Sequence, residues 1–380
     1  MKKRLSFVES LAISGTKHGA PLHLGFLPLN DCAPLAAAQR QGLFAKYGLE
    51  VILHRESNWK NLHDQIARGQ LDAAQAPATL PFLMRLGVTD ETQACVSGMV
   101  LSLQGSAILV SQELSLRGVR DAVSLRERIM LDRGSRTYSF GVAFPYSSEY
   151  FLLRKWLRAS GIQLGTDVRL VIASPEEMFP LLKLGYLDGY CAAEPWASIA
   201  VEAGMGACLA TASSIAPLHP ETVLMVREDF ARDRADEHER LIAALLEACA
   251  YCESPRNLRQ LLPLLASAQF VNAPAACLEP GLLGPFCLAD GANRTLHAQN
   301  VFSDRSSNAP TVTRADWISS ELRDHFQWRV RPAGLNQVFR RDIFQRAQGL
   351  VKNSASKDLE ASPEASSPKL RLLIPRSAYA

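Results

Sequence analysis

Residues 23–61 read HLGFLPLNDCAPLAAAQRQGLFAKYGLEVILHRESNWKN, and this stretch decides the fold. Its pattern predicts a strand over 23–27, a helix over 32–46, a corner closed by glycine, and a second strand over 50–54. We expect Asp31 to cap the helix. The backbone N–H groups that follow Asn30 would then point into the space above the first strand, where a helix start favours an anion.

Indole and amide donors follow the second strand. Residues 57–61 read SNWKN, which places Asn58 and Trp59 at the start of another predicted helix. The indole ring offers one N–H donor and no acceptor, so it suits a ligand that only accepts hydrogen bonds. Two helix starts and an indole N–H that face one cleft therefore predict a site for a small anion.

Size and composition limit the class of protein. The chain has 380 residues, 47% of them hydrophobic and 21% charged, which is typical of a globular protein with two domains. A net charge of +3 argues against the concentrated basic face of a nucleic-acid binder, so we expect no direct contact with nucleic acid. The eight cysteines lie mostly in apolar segments, which indicates core packing, and the sequence predicts neither a metal site nor a cofactor.

The two ends of the chain carry separate expectations. Residues 1–21 form a predicted N-terminal extension that begins with Lys-Lys-Arg, but Glu9 and Ser10 interrupt the apolar run that an export signal needs. No stretch reaches the length of a membrane span. We therefore expect a cytoplasmic protein without a membrane span. Residues 352–380 begin with a low-complexity segment and are predicted to be a disordered tail.

Strands alternate with helices over most of the chain, which predicts parallel βαβ units. The segments ARGQLDAAQAPA (67–78) and KLGYLDGYCAAEPW (183–196) share a layout of helix, glycine, Leu-Asp, small-residue strand and proline. This repeat predicts an α/β protein with two lobes built alike. We place lobe 1 at residues 22–104 and 220–351 and lobe 2 at 105–219. The ligand would bind between the lobes, beyond the carboxyl ends of the strands.

Several ordered motifs resemble one family. They are GFLPLNDCAPL (25–35), SNWKNLHDQIARGQLDAA (57–74), AFPYSSEYFLLRKWLRASGI (143–162) and HPETVLMVRED (219–229), and they are similar to the solute-binding proteins of nitrate and bicarbonate ABC transporters. The similarity spans roughly residues 22–347. It implies a two-lobe fold of the periplasmic-binding-protein type (type II), with a hinged interlobe cleft that closes on a small anion.

Within this family, the chain most resembles the NasS-like nitrate/nitrite sensors, which lack an export signal. The resemblance implies that the protein holds a NasT-like RNA-binding antiterminator and releases it when nitrate or nitrite binds. Two alternatives remain open: a solute-binding subunit of a nitrate/bicarbonate ABC transporter, and an enzyme on the same scaffold, such as a thiamine-pyrimidine synthase. The sequence shows no nucleophile–base pair and no phosphate-binding glycine loop, so we expect no catalysis.

The resemblance also implies ligand contacts. Trp59 and Gln104 align with a tryptophan and a glutamine that bind the ligand in the family. A family histidine corresponds to Val142 and a family lysine falls near Pro217, so this chain lacks both charged donors. His219 and the backbone N–H groups of 146–148 are predicted substitutes. The candidate ligand-binding residues are Asn30, Asn58, Trp59, Gln104, Pro145, Tyr146, Ser147, Glu194 and His219. Each has a structural alternative, such as capping for Ser147, and Glu194 would repel an anion unless it is paired.

Overall fold

The computed structural model describes residues 19–89, 93–286, 288–289, 299–303 and 307–360, with the backbone alone over 355–360. Nearly all of the predicted N-terminal extension and residues 361–380 of the predicted tail lie outside the described residues. The last described helix continues to Glu360, so residues 352–360 are helical where the sequence predicts disorder.

The strands form two separate sheets. One sheet has the order β11-β4-β10-β3-β1-β2 and the other has the order β7-β6-β8-β5-β9. The strands are β1 (Leu22–Phe26), β2 (Val51–Arg55), β3 (Ala73–Pro77), β4 (Cys95–Gln104), β5 (Ser106–Ser111), β6 (Tyr138–Val142), β7 (Val168–Ile172), β8 (Gly189–Ala193), β9 (Gly206–Thr211), β10 (Pro220–Arg227) and β11 (Asn300–Val301).

Helices cover both sheets, and α12 packs against both α1 and α16. The helices are α1 (Ala33–Arg40), α2 (Leu43–Lys46), α3 (Trp59–Ala67), α4 (Leu80–Arg85), α5 (Gln112–Leu116), α6 (Ala122–Leu131), α7 (Ser148–Ala159), α8 (Pro175–Lys183), α9 (Trp196–Glu202), α10 (Ala212–Ile215), α11 (Glu228–Asp233), α12 (Ala235–Cys252), α13 (Pro255–Leu265), α14 (Ala275–Leu283), α15 (Val312–Phe326) and α16 (Arg341–Glu360).

One predicted helix is interrupted. The sequence predicts a single helix over 32–46, whereas the structure has α1 and α2 with a break between them. Gly42 at this break has a φ of +67°, a left-handed conformation that glycine adopts at no steric cost. The chain therefore turns at Gly42 before it enters the corner that leads to β2.

Each of the two sheets contains a set of three parallel strands. In the first sheet β1 lies between β2 and β3, and in the second sheet β6 lies between β7 and β8, with parallel pairing throughout. The chain passes from one sheet to the other between β4 and β5 and returns between β9 and β10. Both sheets therefore bring the carboxyl ends of their parallel strands to the region between the lobes.

The Gly-x-Leu-Asp repeat has the same structural role in both lobes. The carboxylate of Asp72 accepts a hydrogen bond from the backbone N–H of His23 at 2.9 Å, and that of Asp188 accepts one from Ser139 at 2.7 Å. Each aspartate thereby fixes the start of the middle strand of the parallel set, β1 in the first lobe and β6 in the second. The preceding leucine covers a glycine of that strand: a methyl group added at Gly25 would lie 2.5 Å from Leu71 Cδ1. Leu187 covers Gly141 in the same way.

Candidate functional site

A cavity of 1040 Å³ lies between the two lobes. It opens where β2, β6 and β7 end, at the position that ligands occupy in α/β sheets. The first lobe contributes Ser57, Asn58, Trp59, Lys60, His63, Val88 and Thr89, and the second lobe contributes Ala143, Phe144, Pro145, Tyr146, Ile172, Ala173, Ser174, Glu176, Glu177, Pro180 and Leu181. Of the nine predicted ligand-binding residues, four line this cavity: Asn58, Trp59, Pro145 and Tyr146.

The start of α3 places Trp59 in the cavity wall. Asn58 caps this helix, because its side chain accepts a hydrogen bond from the backbone N–H of Asn61 at 2.9 Å. The Trp59 side chain follows directly and is only 3% exposed. Its indole Nε1 is buried and has no hydrogen-bond partner among the described residues. A buried donor without an acceptor is costly, by about 1–3 kcal/mol, so this N–H is ready for a ligand that accepts.

His63 is a wall residue that the sequence reasoning missed. It lies one helical turn after Trp59, so the two side chains share a face of α3. The ring is 4% exposed; Nδ1 lies 2.8 Å from Asp64 Oδ1, and Nε2 is buried without a partner among the described residues. The spacing of four residues from Trp59 is the signal that would have identified it.

The turn between β6 and α7 forms the opposite wall. Tyr146 has a φ of +67°, and its ring packs against those of His325 and Phe326 at centroid distances of 4.8 and 5.1 Å. Ser147 caps α7 by accepting a hydrogen bond from the N–H of Tyr150 at 3.2 Å. Ser147 is fully buried and does not line the cavity. Ser147 therefore has the capping role that the sequence offered as an alternative, and a ligand contact at Ser147 stays a prediction.

Gln104 and His219 lie beside the crossings between the lobes, outside the cavity lining. Gln104 ends β4 with a φ of +60°, and its Oε1 accepts a hydrogen bond from the N–H of Leu218 at 3.2 Å. Both ring nitrogens of His219 are engaged, Nδ1 with the carbonyl of Ala216 at 2.9 Å and Nε2 with Glu221 at 2.8 Å. His219 is therefore occupied within the protein, whereas the amide nitrogen of Gln104 has no partner among the described residues.

Asn30 and Glu194 join the lobes directly. The backbone N–H of Asn30 donates to the carbonyl of Glu194 at 2.8 Å, and its side-chain amide donates to the carbonyl of Leu278 at 3.1 Å. The backbone N–H of Asn30, a predicted ligand-binding residue, is thus used in an interlobe bond. Burial raises the pKa of the Glu194 carboxyl to about 8. Glu194 is therefore mostly protonated at neutral pH, which removes the predicted repulsion.

The prediction that Asp31 caps α1 is wrong. Cys32 is the N-cap of that helix and no side chain caps it. The Asp31 carboxyl instead accepts a hydrogen bond from the Ser102 hydroxyl in the buried region between the lobes. Burial, followed by the nearby charges of Glu221 and Glu149, raises the pKa of Asp31 to about 8. A buried polar partner on a distant strand has replaced the local backbone N–H that sequence reasoning assigned to Asp31.

Ion pairs surround the mouth of the cavity. Arg55, at the end of β2, pairs across the cleft with Glu176 of α8, and its Nε donates to the carbonyl of Phe270 at 2.7 Å. Lys60 pairs with Asp64 at 3.0 Å, although the lysine side chain is 65% exposed. Each of these charged side chains is paired with an opposite charge at the rim. The buried part of the wall therefore presents mainly ring and backbone groups.

Metal binding has no support in the described part of the chain. No group of three or more histidine, cysteine, aspartate or glutamate side chains is arranged there to hold an ion. The seven cysteines that the structure describes are free and buried. The chemistry available at the cavity is hydrogen bonding and electrostatic stabilisation of a bound molecule.

Comparison with known proteins places this geometry in a family. The model of the NMT1-like family matches residues 15–266. The chain belongs to the NMT1-like family. It is 34% identical over 319 residues to the nitrate import ATP-binding protein NrtC of Synechocystis sp., covering 83% of this chain and 47% of the relative. It is 36% identical over 326 residues to the bicarbonate transport ATP-binding protein CmpC of the same organism, covering 84% of this chain and 48% of the relative.

The fold matches that of a solved nitrate-binding protein. The crystal structure of the periplasmic nitrate-binding protein NrtA from Synechocystis PCC 6803 superposes with a TM-score of 0.80 at 22% identity, covering 89% of this chain and 90% of that one. The prediction of a two-lobe α/β fold of the periplasmic-binding-protein type (type II) is confirmed. The chain resembles proteins of nitrate and bicarbonate transport in sequence, and its fold is that of solute-binding proteins.

Two further facts bear on the biological context of this NMT1-like chain. It spans about half the length of the curated transport ATP-binding proteins that it matches, 47% for NrtC and 48% for CmpC. Among the helices within the described ranges, none combines the length and the hydropathy needed to cross a lipid bilayer.

Proposed function

We propose that this chain binds nitrate or nitrite in the interlobe cavity and reports the bound state to a partner protein. One observation carries the binding part: the indole N–H of Trp59 is buried in the cavity wall without an acceptor among the described residues. Nitrate and nitrite oxygens only accept hydrogen bonds at neutral pH, so they complement such a donor. The similarity to nitrate-transport proteins supports the same ligand class.

The energetics require several donors. Micromolar binding corresponds to about 8 kcal/mol, and a hydrogen bond that involves a charged group contributes about 1.5–3 kcal/mol. Roughly three to five donors therefore suffice. Trp59 Nε1–H and the amide nitrogen of Gln104 are the first two, provided that the lobes bring Gln104 to the ligand. The backbone N–H groups of Tyr146 and Ser148, in the turn that lies across the cavity from Trp59, supply the remainder.

The sensor role rests on the motif resemblance. In this proposal a cytoplasmic chain holds a NasT-like RNA-binding antiterminator when the cavity is empty and releases it when nitrate or nitrite binds. Differential affinity for the two states of the lobes would supply the free energy for release. The chain itself would not contact RNA, in keeping with its net charge of +3 over 380 residues.

The curated relatives favour a second candidate function. NrtC and CmpC are transport ATP-binding proteins, and this chain matches about half of their length. A binding-protein-like unit of an ABC importer for nitrate or bicarbonate would use the same cavity. In that case the partner is a transporter rather than an antiterminator, and bicarbonate joins nitrate and nitrite as a candidate ligand.

Calorimetric titration of the purified chain with nitrate, nitrite and bicarbonate tests the binding proposal. We expect binding of at least one anion, and we expect Trp59→Ala to abolish it. Trp156→Ala is the matched control, because Trp156 packs outside the cavity on α7. If Trp59→Ala binds as tightly as the control, Trp59 is not a ligand contact. If none of the three anions binds the wild-type chain, the proposed function is refuted.

Gel filtration of the chain mixed with a purified NasT-like protein separates the two roles. The sensor proposal expects a complex that nitrate or nitrite dissociates. A chain that binds the anion but forms no complex with the antiterminator under either condition supports the transporter alternative instead.

A further inference from the structure

We propose that His63 is the cationic group of the oxyanion site, and that each anion binds together with one proton taken up at His63 Nε2. This inference rests on the proposed function and names the group that neutralises the ligand. The resemblance places Val142 and a residue near Pro217 at the family positions for charged donors, so a counter-charge would come from another part of the wall. His63 was not among the candidates that the sequence indicated.

Geometry brings His63 and Trp59 to one ligand. They are four residues apart on α3, and side chains at that spacing have Cβ atoms about 6 Å apart on the same helix face. Both line the cavity, and both are at least nine-tenths buried. Both also keep one buried ring nitrogen without a partner among the described residues. One oxyanion with two accessible oxygens can therefore contact both nitrogens.

The bond to Asp64 fixes the hydrogen on the far side of the ring. His63 Nδ1 lies 2.8 Å from Asp64 Oδ1, and an ionised carboxylate can only accept, so Nδ1 carries the hydrogen. In the neutral ring Nε2 then presents a lone pair, which repels an oxygen of the anion. Addition of a proton from solvent to this lone pair creates an N–H donor and a positive charge in one step, and no other bond forms or breaks.

Asp64 is ionised and so stabilises the charged ring. Burial would raise the pKa of Asp64, but hydrogen bonds from His63 and Lys60 outweigh this effect and hold the pKa below its usual range. The pair therefore works as a unit in which Asp64 compensates the charge that the anion then shares.

Within the described residues, the other charged side chains that line the cavity are Lys60 on α3 and Glu176 and Glu177 on α8, and Arg55 lies close by at the end of β2. Arg55 pairs with Glu176, and Glu177 caps α8 through Ser174. Lys60 is an alternative cation, but its side chain is 65% exposed, and it pairs with Asp64. An exposed ammonium contributes little because water screens it. His63, in contrast, is buried in the same wall as Trp59.

The test is calorimetric titration with nitrate at pH 6 and pH 8, in two buffers that differ in ionisation enthalpy. The wild-type chain should take up about one proton per anion at pH 8, and its Kd should rise by up to about tenfold per pH unit above the usual histidine range. His63→Gln keeps a neutral donor, so it should bind about ten- to a hundredfold more weakly at pH 6 and lose the pH dependence. His54→Gln, on β2 outside the cavity, is the matched control and should retain it.

The outcomes separate this inference from the proposed function. Equal Kd values at pH 6 and pH 8 with no proton uptake would overturn the role of His63 while leaving oxyanion binding intact. A pH dependence that persists in His63→Gln would assign the proton to another group, with the His219–Glu221 pair the first to examine. If the wild-type chain binds no nitrate, nitrite or bicarbonate even at pH 6, both proposals fail together. If His63→Gln does not fold, the wild-type titration still tests the inference, because an absence of proton uptake at pH 8 would overturn it.

Discussion

Replacing Trp59 by phenylalanine removes one N–H group and keeps an aromatic ring in the cavity wall. The indole Nε1 is buried without a partner among the described residues, so the substitution breaks no hydrogen bond within them. The stability of the ligand-free protein should therefore change little, whereas the affinity for the ligand should fall. This contrast distinguishes a ligand-binding tryptophan from one that only packs.

The size of each effect depends on whether the Trp59 N–H is unpaired or bonded to the ligand. In the ligand-free protein a buried unpaired donor costs about 1–3 kcal/mol, and its removal returns part of that cost while the smaller ring loses some packing. We expect the free energy of unfolding to change by no more than about 1 kcal/mol. In the complex the lost bond to a charged oxygen is worth about 1.5–3 kcal/mol, which corresponds to roughly 10- to 150-fold weaker binding.

Two measurements on the same protein check this expectation. Urea denaturation without ligand gives the free energy of unfolding, and calorimetric titration with nitrate gives the Kd. A Trp59→Phe chain that loses several kcal/mol of stability and binds nitrate as tightly as wild type would refute the reasoning. In that case Trp59 is a core residue and its N–H has an acceptor outside the described residues.

Three further predictions concern the residues that surround the site. Asp188→Ala removes the acceptor of the Ser139 N–H and a partner of a nearby arginine, so urea denaturation should show a loss of about 2–4 kcal/mol. Glu176→Gln removes the partly exposed pair with Arg55, worth about 0–1 kcal/mol, and small-angle scattering should show a larger radius of gyration without ligand. The folded-state pKa of Asp31, about 8, lies above its unfolded value. Its stabilising contribution is therefore full below about pH 4 and is lost as the pH rises towards 8. Asp31→Asn should show a flatter loss of unfolding free energy between pH 5 and pH 8 than wild type.

The lobe architecture was predictable because its determinants are local. Each Gly-x-Leu-Asp segment ends a helix, covers a glycine of the neighbouring strand and bonds the start of that strand, all within one βαβ unit. The structure confirms this shared role through Asp72 and Asp188, whose carboxylates accept from equivalent backbone groups. A sequence pattern of this kind can be read without knowing how distant parts of the chain meet.

The details of the site were less predictable because they depend on distant partners. Asp31 has the sequence context of a helix cap, but its partner is Ser102, which lies 71 residues further along the chain. The N–H of Asn30 is likewise used by the carbonyl of Glu194. Nothing in the local sequence specifies such pairings. His63 was missed for a different reason. Its spacing of four residues from Trp59 is visible in the local sequence, but this spacing indicates a shared site only once both rings are known to be buried.

The protonation of the buried carboxyl groups between the lobes determines how strongly they repel a bound anion. The pKa of Asp31 and of Glu194 is raised to about 8, in both cases mainly by burial. The pKa of Glu149 is raised by burial and by Glu221. Asp31 and Glu194 are mostly protonated at neutral pH and exert little repulsion on an anion, so these two carboxyl groups do not oppose oxyanion binding. The electrostatics felt by the ligand are then those of the cavity wall itself, where the proton carried by His63 decides between a repelling and an attracting surface. Ligand affinity should consequently respond to pH through one group on α3, even though the interlobe region contains several titratable side chains.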